Sequence, residues 1–218
     1  MDLELKRRTA LEAHGERLAR PAAEGEREDL RLAGIAGASW AAGLASLMLA
    51  DDETGGALLR QAADEYVTSW QAAPAGSWGR PIAALRCRLL AGDGDGARDD
   101  AEAALEAGAL DASGPIGGYC AALALLVLGR DDEAVPIAAR IAADGLDPVA
   151  VADALGALAI GDGGAFNDAR RAVLRSFEER DAFLEDVPVA DTVLVLDALA
   201  RSRGMDAASL SSPLLPPA

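Results

Sequence analysis

Four times along this chain an Ala/Leu-rich run ends at a glycine or alanine, passes an acidic turn and restarts as an Ala-spaced amphipathic run. The phrases read LMLADDETGGALLRQAA from Leu47, LLAGDGDGARDDAEAAL from Leu89, LVLGRDDEAVPIAARIA from Leu126 and LAIGDGGAFNDARRAVL from Leu158. A run–turn–run unit of this kind cannot bury its apolar face alone, whereas a stack of such units shares one continuous core. The recurrence predicts an all-α fold of stacked antiparallel helical hairpins, an α-solenoid of about ten helices. At 218 residues the chain suits a single domain of this type, spanning 1–218.

The elements follow from the period and the breakers. Residues 2–20 read as an amphipathic helix with Leu3, Leu11 and Leu18 on its apolar stripe, ended by Pro21; residues 21–28 are a polar linker. Helical hairpins fill 29–202. The first pairs 29–50 with 55–72, and APAGSWG breaks the chain before the second, 80–91 with 96–107. The third, 116–128 with 133–143, starts after Ser113-Gly114-Pro115, and Pro136 falls in the first turn of its second helix. The fourth pairs 148–160 with 165–180, a last helix covers 187–202, and the proline-bearing tail 205–218 is extended. It docks through Leu214 and Leu215 or frays.

Turn chemistry accounts for much of the repetition. Gly92, Gly129 and Gly161 stand where a left-handed residue ends a helix. Asp95, Asp131 or Asp132, and Asp162 then offer side-chain oxygens to the next helix N-terminus. In a hairpin stack these turns share one edge. Asp51, Asp52, Glu53, Asp93, Asp95, Asp131, Asp132 and Glu133 are thereby expected on a common negative rim.

Only 4% of residues are aromatic, so Ala, Leu, Val and Ile must build the core, and small side chains let helix axes approach closely. Gly34, Gly37, Gly117 and Gly118 fit such close contacts and match no phosphate-binding pattern. Trp40, Trp70 and Trp78 fill gaps between hairpins. Trp70, Trp78 and Tyr119 are also the candidate lining of a groove for a peptide or small molecule.

The net charge of −16 repels phosphate backbones and anionic lipid surfaces, which argues against nucleic-acid and membrane partners. A protein partner of basic surface is compatible with this field, and a strongly acidic surface also simply keeps a protein soluble. Leu32–Ala50 holds 19 uncharged residues, but it is rich in Ala, Gly and Ser, and its flanks (Glu28, Asp29 and Arg31 before; Asp51, Asp52 and Glu53 after) form no basic anchor, so a core helix is expected there. With no signal-peptide pattern ahead of it, a cytoplasmic location is expected. Cys87 and Cys120 lie in apolar runs and read as buried thiols, and His14 reads as a surface residue.

No residue set points to catalysis, metal or cofactor. Asp93-Gly94-Asp95-Gly96 opens like a calcium loop, but Arg98 stands where glycine is required and Ala104 where the bidentate acid is required. Asp191 fits a helix N-terminus, and Asp197, six residues on, faces elsewhere, so the two form no carboxylate pair. The Glu178–Asp186 acids read as a solvated face.

The hairpin grammar resembles the tetratricopeptide-like class in degenerate form, with Ala101, Ala138 and Ala169 where the second helix meets the first. The stretch Gly161–Ala169, with Leu199-Ala200-Arg201-Ser202-Arg203-Gly204 and Leu214-Leu215-Pro216, resembles the C-terminal region of an actinobacterial family of polymorphic-toxin immunity proteins. That resemblance implies an all-helical protein that neutralises a toxin by binding it. The expectation is a non-enzymatic helical-repeat protein that binds a protein partner, as an immunity or regulatory factor. Two alternatives stay open: a small-molecule-binding or catalytic helical domain, such as a helper from a biosynthetic cluster, and a structural oligomer.

Overall fold

A computed structural model describes residues 2–217. It contains ten α-helices and, among the described residues, no strand: α1 (Leu3–Ala19), α2 (Glu28–Met48), α3 (Asp52–Gln71), α4 (Gly79–Leu90), α5 (Gly94–Glu106), α6 (Pro115–Val127), α7 (Asp131–Ala143), α8 (Val149–Ile160), α9 (Gly163–Glu178) and α10 (Asp191–Ser202). Each helix up to α9 packs mainly on its chain neighbours, with added contacts from α4 to α6 and from α6 to α8. The last helix breaks this order by lying across α4, α8 and α9.

The helices divide by composition into two rows. Those of the first row, α2, α4, α6 and α8, are covered on most sides, and α6 is buried from Gly117 to Leu126 without a break. A helix apolar all round needs neighbours all round. The second row, α3, α5, α7 and α9, buries one stripe each, such as Ala97, Ala101 and Ala104 of α5. The membrane-like stretch falls in α2, where two thirds of the most apolar window is buried inside the protein. It is the one helix among the described residues long and apolar enough to cross a bilayer. Both cysteines are buried and reduced.

The four phrase turns share one geometry. Gly92, Gly129 and Gly161 have φ of +66°, +69° and +71°, as expected, and Ala50 takes the same left-handed conformation at +58°. In each case the next N–H reaches back to a carbonyl in the last helical turn: Asp51 to Ser46, Asp93 to Arg88, Arg130 to Leu125 and Asp162 to Ala157.

The caps differ from expectation. Asp51 and Asp162 accept from Thr54 and Ala165, but in the second phrase Asp93, not Asp95, caps α5 by accepting from Gly96. In the third phrase Arg130 occupies the cap position, and neither Asp131 nor Asp132 makes a side-chain cap. The cause is common to both: the acids favour the positive helix end so well that they enter the first turn, and the helices start about two residues early. Pro136 consequently lies in the second turn of α7. It leaves the Asp132 carbonyl without its helical donor.

Two terminal elements are also corrected. The stripe predicted for α1 is only in part its contact face: Leu3 packs on the core, but Leu11 is 41% and Leu18 is 61% exposed, and the fully buried residue of the helix is Ala10. Polar bonds hold the rest of the helix. Arg7 reaches Asp51, and Arg17 reaches the Gly34 carbonyl and Glu185. His14, expected on the surface, is half-buried against Glu65 at 2.7 Å, and Ser39 bonds the other oxygen of that carboxylate. The last helix starts at Asp191, not 187, because Val187 to Ala190 run as an extended segment through Pro188.

The tail docks. Asn167 exchanges bonds with Asp206 and Ala208, Ser212 bonds Glu178, and the Ala190 N–H donates to the Leu214 carbonyl at 2.9 Å. Leu210, Leu214 and Leu215 pack on the core.

Candidate functional site

Two concavities flank α10, one at each end. They share no lining residue.

The larger, about 780 Å³, is a groove on the turn edge. Its walls are the α2–α3 turn (Leu47, Asp52, Gly56), the end of α4 (Leu90 to Gly92), the later part of α10 (Leu194, Asp197, Arg201) and the tail from Met205 to Pro216. The turn edge exists because each hairpin returns the chain to the same side. Arg203 ties the tail root to this edge by donating to the Leu126 carbonyl at 2.5 Å and to Asp131 at 2.6 Å. Carbonyl ends of α2 and α4 abut the groove and carry partial negative charge.

Arg170 anchors the groove floor. It is 2% exposed, bonds Asp197 at 2.7 Å and donates to the Ala208 carbonyl of the tail. Burial pushes the Asp197 carboxyl above the ordinary aspartate value, against the pull of Arg170 and Arg201.

The predicted rim separates into two sets. Asp51 pairs with Arg7, Asp93 with Arg88, Asp131 with Arg203 and Glu133 with Arg130. Hydrogen bonds from Thr54, with Arg7 assisting, hold Asp51 below the ordinary carboxylate range, and the Arg130 hydrogen bond does the same for Glu133. Asp52, Glu53, Asp95 and Asp132 are exposed and have no ion-pair partner among the described residues. Half of the rim thus serves the fold, and half remains open to another molecule. Of the open set, Asp52 lines the groove itself.

The smaller cavity, about 460 Å³, opens at the other end of α10 between α2, α4, α6, the α7–α8 loop and the segment after α9. Trp40, Tyr119, Phe177 and Phe183 supply aromatic wall. At its base Arg86 pairs with Asp191 at 2.7 Å, bonds the Thr192 hydroxyl at 3.0 Å and lies 5.0 Å from the centroid of the Trp40 ring. Burial is the largest single influence on Arg86 and works against its cation, but Asp191 together with Tyr119, Cys87 and Tyr66 outweighs it and the pKa is raised. Trp40 in turn meets Tyr66 edge-on at 5.9 Å.

Of the predicted groove residues Trp70, Trp78 and Tyr119, only Tyr119 lines either of these two cavities; Trp78 packs against Gly117, and Trp70 and Trp78 are half-buried on the core. The aromatic partner that sequence reasoning assigned to gap filling, Trp40, takes their place. Asp191 and Asp197, expected on different faces, each pair with a different arginine and belong to different cavities. Arg86 and Arg170 carried no local signal, since their acids lie far along the chain.

Comparison with known protein families, characterised proteins and solved structures yields no match. Function must therefore be argued from the sites.

Proposed function

We propose that this chain is a non-enzymatic helical-repeat protein that captures a protein partner through a basic, extended segment laid along the turn-edge groove. The observation that carries this reading is the groove itself: Leu47, Leu90, Leu194 and Leu215 lie beside the paired Arg170 and Asp197, and at the edge Asp52 and Asp206 outnumber Arg201, next to the ends of α2 and α4. The leucines bury apolar side chains of a partner, while the acids and carbonyl ends favour its cations. The net charge of −16 steers such a partner toward the protein.

The stretches that resemble the toxin-immunity family support an immunity or regulatory role in the cytoplasm. They converge on the wall of this groove, through Arg201, Leu215 and Pro216, and through Asn167, which fixes the tail. Binding by occlusion needs no catalytic group.

The test is charge removal at acids that make no ion pair within the fold. The triple variant D52N/D95N/D132N, used as bait in an extract of the native cell beside the wild type, loses the wild type's principal captured protein while keeping its helical spectrum, with a modest fall in Tm from the lost charges at three helix N-termini. Undiminished capture of the same protein by a folded triple variant overturns the reading. Asp51 and Asp131 are unsuitable for this test, because neutralising them removes their ion pairs with Arg7 and Arg203.

A further inference from the structure

Four charged residues line the 460 Å³ cavity: Arg86, Asp191, Arg180 and Asp147. The first two lie at its base and neutralise each other through their 2.7 Å pair. Arg180 and Asp147 are exposed, and among the described residues neither side chain makes a hydrogen bond or an ion pair. They are not partners of each other. Asp147 comes from the α7–α8 loop, and Arg180 from the chain just after α9.

Both free charges are placed at the cavity. The Arg180 guanidinium carbon lies 3.8 Å from the centroid of the Phe177 ring, and Phe177 is itself cavity wall. That stacking holds the cation against the wall, while its N–H donors remain on the exposed side. The acids beside it in sequence, Glu179 and Asp181, neither pair with it nor line the cavity. Asp147 sits between two lining residues, Leu146 and Pro148, ahead of α8. It caps no helical N–H, so its oxygens are uncommitted. The rest of the wall is apolar, with Trp40, Tyr119, Val151 and Phe183 prominent.

We propose that this cavity binds a small amphipathic zwitterion of the free amino-acid class, its apolar side chain directed inward. The ligand carboxylate meets Arg180, and its ammonium meets Asp147. The volume lies within the range of small-molecule sites, roughly 300–1,000 Å³. A lone carboxylate would leave Asp147 as a repulsive neighbour, and a lone ammonium would leave Arg180 as one. A molecule with both charges at one end answers both. The apolar side chain supplies the area to bury, since ion pairs at an open mouth add little alone. The site shares no lining residue with the turn-edge groove, and neither proposal depends on the other.

Calorimetric titration of the full chain with leucine, phenylalanine and tryptophan tests this, with alanine as the control that lacks an apolar body. The tightest of the three is then compared with two derivatives: its amino alcohol, which loses the carboxylate, and its N-acetyl form, which loses the ammonium. Each derivative is expected to bind about fivefold more weakly than the free amino acid, the size of one pair at a partly exposed site. R180Q should erase the discrimination against the amino alcohol and keep that against the N-acetyl form, and D147N should do the reverse. A merely structural role for either residue would not divide the derivatives in this way. No binding of any of the three, alanine binding as tightly as they do, or either derivative matching the free amino acid on the wild type overturns the proposal. So does discrimination left unchanged in folded R180Q and D147N. The wild-type series decides even if a variant fails to fold.

Discussion

Ala50 holds a left-handed conformation that glycine holds in the three equivalent turns. For an L-residue this costs about 1–2 kcal/mol, part of which glycine gives back as chain entropy. Ala50→Gly should raise stability by about 0.5–1 kcal/mol, read as a higher Tm; an unchanged or lower Tm contradicts the account of this turn. Asp29 makes a second residue-scale case. It is buried, bonded to Arg27 and Arg80, and held below its ordinary value of 3.8 chiefly by the Arg27 hydrogen bond. A carboxylate whose folded pKa is lowered stabilises the fold above its unfolded pKa, and that contribution is lost as pH falls through the folded value. D29N should therefore be less stable at neutral pH and show a shallower loss on acidification below 3.8. Urea titrations at several pH values check both, and parallel acid slopes for wild type and variant would refute the assignment.

At the scale of elements, the hairpins were legible because their signals are local. A left-handed glycine, an acid and an Ala-spaced run lie within one turn of each other, so Gly92, Gly129 and Gly161 announce their roles. Helix starts were read about two residues late where acids crowd the first turn, as at Asp93 to Asp95. The docking of α1 was not legible. Leu11 and Leu18 suggested an apolar stripe, whereas Arg7, His14 and Arg17 make the contacts, and their partners sit on other helices. The tail was half legible: Leu214 and Leu215 marked it for docking, but nothing local named Arg170 as its anchor. Breaking a buried pair of this kind costs about 3–5 kcal/mol. R170M should destabilise the protein by an amount toward the lower end of that range, because Asp197, already pushed up by burial, can neutralise itself. A raised carboxyl gains stability as pH falls through its folded pKa, so the deficit of R170M should shrink in acid. A deficit independent of pH would remove Asp197 from the account.

For the whole molecule, the recurrent phrase marks successive helix–turn–helix units, but half of the acids in its first three turns are engaged by arginines. The charge that remains open is narrower than the sequence implied, and it sits beside a groove that no single segment encodes. Trp40 and Asp52 come from the first hairpin, Arg86 and Gly92 from the second; α10 closes both cavities from the far end of the chain, and the tail closes the larger one. Sites assembled this way become visible only once the stack is built. Capture of a partner in the turn-edge groove is most directly tested by site-specific photo-crosslinking in the native cell. The crosslinker is placed at Asp52 and Asp206 in the groove and, as a control, at the exposed Ala139 on α7. Asp52 and Asp206 should give an adduct to the same single protein, and Ala139 should give none. Adducts from Ala139 to that protein at equal yield, or none from either groove position, would contradict it.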